Sequence, residues 1–422
     1  MDVTCFEQGS EIGGLWTYSK SVGDVHQSMY RYHQTNGLNE MLEFDDYSFV
    51  EHFGHAITSY PPRAVMLDYL QGWANKWNIN VTLNRKVVQV TFDKEASKFT
   101  VVSEDTRTCS HHHSSFDYVV VSTGHFSRPN NIPPYPGQEH FEGFAIHSHN
   151  FRDALEYKGK DLLIIGNGYS GEDIAMQCTK FGAKSCTISY QFEPLDFDFQ
   201  HLPIREKPLP SHFDPVTKEF VFVDKTRARF DGIIYCTGYK HVFPFLAEDL
   251  TLRTPNRLIP DTLWKGILFP DNPRLMYLGM PDQYYTFNAF YAQSKFVLGV
   301  IKGQIAIPSK EQMLADTAAW QKKEDEVGDD HKAHHRLQWA HINEAAKMGG
   351  GSLRNDDKLF DQWLDDRHHN ILTYRDQSSV SGVSGVESLK FGTPWVKTFN
   401  DDKFAYLAWC KAQYASLQRA KL

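Results

Sequence analysis

Residues 161–190 read DLLIIGNGYSGEDIAMQCTKFGAKSCTISY, and no other run limits the fold as tightly. DLLII is an unbroken apolar run of strand length. Gly166, Gly168 and Gly171 then fit Gly-x-Gly-x-x-Gly as they stand. From Glu172 to Gly182 the apolar residues Ile174, Ala175, Cys178 and Phe181 recur at helical spacing, and Ser185 to Tyr190 is a second strand. A strand, a glycine turn, a helix and a strand at this spacing make a dinucleotide-binding βαβ unit. Its glycines let the backbone approach a pyrophosphate seated on the helix N-terminus. An ordinary βα turn would leave three glycines at this spacing unexplained. The expected fold is therefore α/β and Rossmann-like.

A second such unit is expected on the N-terminal side. Asp2 to Phe6 is a short apolar run read as a buried strand, with Glu7 at its end and Gly13-Gly14 close behind. That is the pattern of the second strand of a dinucleotide unit, its carboxylate bonding a ribose hydroxyl. The glycine turn of such a unit lies roughly 20 residues earlier. The sequence begins at Met1, so this first unit is expected without its N-terminal βα. Phe116 to Ser122 and Phe230 to Tyr239 are apolar strands carrying Thr123-Gly124 and Thr237-Gly238 at their ends. Two such endings imply tandem dinucleotide-binding domains. We expect an FAD-binding domain over 1–150, an NADPH-binding domain over 151–242, and a return to the first domain plus a helical region over 243–422. Between the strands, Ala64 to Trp77 reads as an amphipathic helix and Lys310 to His331 as a charged one.

Composition narrows the function. At 422 residues the chain has room for two or three domains, and its formal charge of −8 attracts no polyanion. Nucleic acid is not an expected partner. No apolar run approaches the ~18 residues that cross a bilayer, and no secretory signal is visible. Six scattered cysteines form no Cys-x-x-Cys pair, which argues against a metal finger or a redox dithiol and for a cytoplasmic protein. His111-His112-His113 reads as a polar hairpin tip, and no metal site is expected.

The residues between the two units carry the most specific signal. Phe141-x-Gly143-x-x-x-His147-x-x-x-Phe151-Arg152 resembles the fingerprint of the flavin-containing monooxygenases. MYRYHQTNG, LEFDDYSFVEHFG, SYPPR, HNFRDALE, YSGEDIAMQC, CTGYKHVFPFL, MPDQYYTFN and YRDQS are similar to the trimethylamine monooxygenase branch in particular. The resemblance implies an FAD- and NADPH-dependent oxygenase. Hydride from NADPH reduces the flavin, dioxygen adds to give a C4a-hydroperoxide, and an amine nitrogen or sulfide sulfur attacks it. The cofactors carry the chemistry, in keeping with the absence of a catalytic triad or paired carboxylates. Partners are then a small amine or sulfide and dioxygen, and the resemblance leaves room for a homodimer.

Residue roles follow from the same resemblance. Asn36 sits against the flavin, and Tyr169 and Ser170 lie near the nicotinamide and substrate. Glu7 bonds the FAD ribose. Leu15, Trp16 and Gln283 line the flavin. Gly166, Gly168 and Gly171 cradle NADPH, and Arg375 reaches its side of the site. His147 is expected to link domains rather than move protons. Three departures stand out. The missing first glycine turn predicts weak FAD retention. Gln191 stands where the family places an arginine for the NADPH 2′-phosphate, which predicts weaker discrimination against NADH, with Lys184, Arg205 or Lys207 as compensating charges. Tyr291 and Lys295 replace an acidic residue and a tryptophan. The competing reading is a non-catalytic or FAD-poor nucleotide-binding relative.

Overall fold

The computed structural model describes residues 1–23, 27–282, 284–390 and 401–420. Its centre is a five-stranded, all-parallel sheet in the order Ile204–Pro208, Ser185–Tyr190, Asp161–Ile165, Gly232–Tyr235, Phe144–His147. Parallel strands covered on both faces need continuous apolar runs, and DLLII supplies one. Alternation along the strand divides its side chains between two cores. Leu162 and Ile164 face the helix Tyr169–Lys180, through Ile174, Ala175 and Cys178. Leu163, Ile165 and Ile233 face a three-stranded antiparallel meander (Pro210–Asp214, Glu219–Phe222, Arg227–Ala228), through Phe213, Phe220 and Phe222. Gly232 is needed because a Cβ there would stand 2.0 Å from the Phe144 ring.

The N-terminal part is built from shorter pairings. Cys5–Phe6 pairs in parallel with Val81–Thr82, and Val119–Val121 with Leu275–Tyr277. Arg85–Asp93, Lys98–Asp105 and His111–Phe116 form an antiparallel meander. The helix Arg63–Lys76 packs Val65, Met66 and Tyr69 against Phe44, Tyr47 and Phe49. Helices Phe287–Ile301, Lys310–Val327, His331–Met348, Asp357–His369 and Lys403–Ala420 follow.

Several expectations change. Asp2–Phe6 is not a buried strand: only Cys5–Phe6 is extended in a ladder, and residues 1–5 are exposed. The three histidines are not a hairpin tip. They open the strand His111–Phe116, paired with Glu104, Ser103 and Val102, and the turn is made by the residues before them. Phe116–Ser122 is not one strand, because Phe116 closes the meander while Val119–Val121 joins a different sheet. Lys310–His331 is not one helix: Lys310–Val327 ends before His331, which opens the next helix, His331–Met348. Gly328, at φ +63°, ends the first, and the Asp330 side chain accepts the Lys332 and Ala333 N–H groups to start the next. The strand Phe144–His147, numbered within the first expected domain, is an edge strand of the central sheet.

Candidate nucleotide and oxygenation site

The glycine turn has the build its sequence promised. Gly166 has φ +106°, and a Cβ on it would stand 2.4 Å from the Cys236 carbonyl oxygen. A Cβ on Gly171 would stand 2.0 Å from the Gly166 carbonyl oxygen. Those two glycines seat the helix on the sheet. Gly168 differs: nothing lies within 4 Å of its missing Cβ. It is the N-cap of Tyr169–Lys180 and offers no side chain to the first-turn N–H groups. A helix start with an open glycine and uncapped donors is a ready anion seat. The chain therefore fits a pyrophosphate here.

Behind that turn lies a buried polar network. Asp173, one turn into the helix, has 4% side-chain exposure and stands 3.2 Å from Arg375. The Tyr30 hydroxyl donates to its Oδ2, Gln177 Nε2 donates at 2.8 Å, and His33 Nδ1 is 3.8 Å away. Burial works to raise the Asp173 carboxyl, but Arg375 with the His33 and Tyr30 contacts holds it below the usual carboxylate range. Arg375 also donates to the Asn36 side-chain oxygen at 3.0 Å and to the Thr35 carbonyl at 3.3 Å. Trp363 Nε1 donates to the Asn36 carbonyl at 2.8 Å, and its ring lies 6.1 Å from that of Tyr169. Arg367, one turn further along the same helix, places its guanidinium 4.8 Å from the Tyr169 ring centre and pairs with buried Glu172. Burial raises the Glu172 carboxyl, with Arg367 opposing it. The Trp16 ring is 5.9 Å from His33 and 6.2 Å from Phe287.

A family model of flavin-binding monooxygenase-like proteins matches residues 1–191 and 214–350. The chain belongs to that family. It is 42% identical to the trimethylamine monooxygenase of Methylocella silvestris over 96% of this chain and 91% of that one. It is 41% identical to the enzyme of the same name from Roseovarius nubinhibens, over 96% and 92%. The solved structure of Tmm from a Pelagibacter species superposes with a TM-score of 0.89 at 39% identity, covering 96% of this chain and 92% of that one. S-allyl-L-cysteine S-oxygenase from Allium sativum superposes with a TM-score of 0.79 at 25% identity, over 98% and 93%. The tandem dinucleotide fold is that of these relatives, and the chain is a flavin monooxygenase working with FAD and NADPH. These relatives are oxygenases, so they give the non-catalytic alternative no support.

Within this flavin monooxygenase the expected residues divide. Asn36, Arg375, Tyr169 and Trp16 are drawn together through Trp363, Asp173 and His33. Ser170 and the three glycines lie at the same helix start, and Leu15 shares the short turn Gly14–Trp16. Glu7 stands apart, at the end of Cys5–Phe6, where its Oε1 accepts the Gly9 N–H at 2.6 Å. Gln191 is exposed just past Ser185–Tyr190. Gln283 lies outside the described residues. Of the charges expected to compensate for Gln191, Lys184 is at the wrong end of the strand and pairs with Asp161 at 2.5 Å. Arg205 aligns with Thr187 in mid-strand. Lys207 aligns with Ser189, the nearest to Gln191, and donates to the Thr226 hydroxyl at 2.6 Å. Tyr291 sits 6.3 Å from Phe44 with the Lys295 ammonium 4.5 Å from its ring centre. His147 accepts the His149 N–H on Nδ1 at 3.0 Å, and burial lowers it to about 4. That lowering keeps its imidazole neutral near pH 7.

Sequence reading missed Asp173, Trp363 and Arg367. Asp173 follows Glu172 in the first turns of the helix, beside the stripe of Ile174, Ala175 and Cys178, and nothing in that local pattern marks it as buried. Trp363 and Arg367 gave only an i, i+4 pair on a charged helix, and their partners lie nearly two hundred residues or more away.

Proposed function

We propose that this flavin monooxygenase oxygenates the nitrogen of small tertiary amines of the trimethylamine type. The observation that carries the reading is 41–42% identity over 96% of the chain to two trimethylamine monooxygenases, with the Asn36–Arg375–Asp173 network and open Gly168 turn in place. Residues 1–150 and 243–422 serve FAD, and 151–242 serve NADPH. Bound together, FAD and NADPH supply a reduced flavin that activates dioxygen and hands one oxygen atom to the substrate. The chain's own residues then bind and shelter. The Tyr169–Lys180 helix start takes the NADPH pyrophosphate, with Ser170 beside it. Glu7 takes an FAD ribose hydroxyl, and Leu15, Trp16 and Gln283 flank the flavin. Asn36 donates a hydrogen bond at the reacting face, and Tyr169 with Trp363 keeps water from it. Gln191 leaves the 2′-phosphate without a guanidinium.

Sulfide oxygenation is the second reading, favoured by the superposition on the Allium S-oxygenase. Six free thiols support a cytoplasmic setting. No helix among the described residues is long and apolar enough to cross a membrane. The test is oxygen consumption by the FAD-loaded enzyme with NADPH, with and without trimethylamine, and detection of the N-oxide. We expect the amine to accelerate NADPH oxidation and the N-oxide to accumulate. Faster turnover with dimethyl sulfide and none with the amine would move the assignment to sulfur. No oxygenated product from either would defeat it.

A further inference from the structure

The Asn36 carboxamide has two ends, and the structure decides which one faces the site. Arg375 Nη2 stands 3.0 Å from it. A guanidinium carries only donors, so the atom facing it is the oxygen, and the amide NH2 points away. The Asn36 carbonyl is held as well, by Trp363 Nε1 at 2.8 Å. Both handles on Asn36 are thus fixed from the C-terminal part of the chain.

Arg375 is itself held. Its side chain has 8% exposure, and Asp173 at 3.2 Å is the carboxylate against it. Asp173 is in turn oriented by the Tyr30 hydroxyl and by Gln177 at 2.8 Å. Tyr30 and Asn36 belong to one segment, Gln177 and Asp173 to the helix behind the Gly168 turn. Arg375 comes from the short turn Tyr374–Asp376. Three distant stretches meet at one carboxylate.

We propose that Asp173 is a positioning residue that acts through Arg375 on Asn36, fixing the carboxamide so that its NH2 is presented to the bound flavin and substrate. The Asp173 side chain, 4% exposed, is enclosed by Tyr30, Gln177 and Arg375. Because it rides on the helix that seats NADPH, the same ion pair ties the nucleotide turn to the orientation of Asn36. The proposal rests on the oxygenase reading above. A buried charge pair that only held the fold together would change stability and leave the chemistry of the folded molecules alone.

The test is a double-mutant cycle of Asp173→Asn and Asn36→Ala in the full chain, with Tyr30→Phe as a variant that keeps the Asp173 charge. The readouts are the ratio of hydrogen peroxide to oxygenated product at saturating NADPH, and FAD affinity of the apoprotein from flavin fluorescence. Asp173→Asn should raise the peroxide ratio roughly five- to tenfold, the size of a coupling between neighbouring polar groups. The double variant should be no worse than Asn36→Ala alone in both readouts, and Tyr30→Phe, which keeps the charge but loses a hydroxyl that orients it, should move the peroxide ratio in the same direction by a smaller factor than Asp173→Asn. Additive effects, or a lower melting temperature with an unchanged peroxide ratio, would overturn the proposal. If wild-type protein forms no product, the oxygenase reading fails by itself, and the cycle in FAD affinity still decides whether Asp173 and Asn36 are coupled.

Discussion

Glu40 offers a sharp test of how the N-terminal part is held together. It is 1% exposed. The Ser59 hydroxyl donates to its Oε1 at 3.0 Å, while Oε2 has no hydrogen-bond partner among the described residues. Ser59 in turn contacts the Ser388 hydroxyl at 2.5 Å, so the carboxyl lies under the segment that returns from the C-terminal region. Burial raises its pKa from the ordinary 4.5 to about 7, opposed by hydrogen bonds and assisted by Glu43. Each pH unit between the two values is worth about 1.36 kcal/mol. Ionising Glu40 inside the fold therefore costs about 3 kcal/mol more than in the unfolded chain. The sign is that of a raised pKa. Its contribution is fully present below about pH 4.5, the unfolded value, and is lost as pH rises through about 7. Buried histidines act the other way. His125 and His147 are lowered to about 4 by burial, so their contribution is present above 6.5 and is lost as pH falls through about 4. The wild-type profile mixes these slopes, and the comparison with Glu40→Gln separates them. Urea midpoints of both proteins should be measured from pH 5 to pH 8. Glu40→Gln should gain about 2.5 kcal/mol on the wild type across that window, with unchanged denaturant dependence. A difference that stays flat with pH would refute the account of Glu40 as a proton-carrying buried acid.

The glycine turn gives a paired prediction. Gly168→Ala should fold normally and raise KM for NADPH, whereas Gly171→Ala, with its Cβ 2.0 Å from the Gly166 carbonyl oxygen, should lose stability by several kcal/mol; equal losses of stability would count against the open-seat reading. Gln191→Arg should raise the NADPH-to-NADH ratio of kcat/KM roughly tenfold through a charge-assisted contact, and an unchanged ratio would mean that Lys207 already supplies that charge. Tyr406→Phe removes the hydroxyl that meets Thr58 Oγ1 at 2.6 Å and accepts its N–H at 3.2 Å. It should cost about 1–3 kcal/mol and speed amide exchange in Lys403–Ala420, and unchanged exchange would mean that packing alone docks that helix.

What the sequence disclosed depended on how local the cause was. DLLIIGNGYSG specified its strand, turn and helix because the glycines answer to atoms a few residues away, or to one neighbouring strand end at Cys236. The same holds for Ser185–Tyr190, which was read to the residue. The opening strand was over-read because Asp2–Phe6 has strand composition, and composition does not say which side is covered. The histidine run was misplaced for a related reason: a strand at a sheet edge tolerates polar residues, so polarity alone does not mark a turn.

The site shows the limit most clearly. Asn36 was singled out by its motif, but nothing near it in sequence says what orients it. Its side-chain oxygen is taken by Arg375, 339 residues away, and its carbonyl by Trp363, 327 residues away. Asp173 reaches back to Tyr30 across 143 positions. Each contact is a single polar atom pair with no periodicity to betray it. Asp173 lies off the stripe of Ile174, Ala175 and Cys178 that packs on the sheet, yet it is buried as they are. A carboxyl buried in that way is paired, hydrogen-bonded or neutral. YSGEDIAMQC alone does not choose among the three. The fold does: Arg375 pairs with Asp173, and the same guanidinium also holds Asn36.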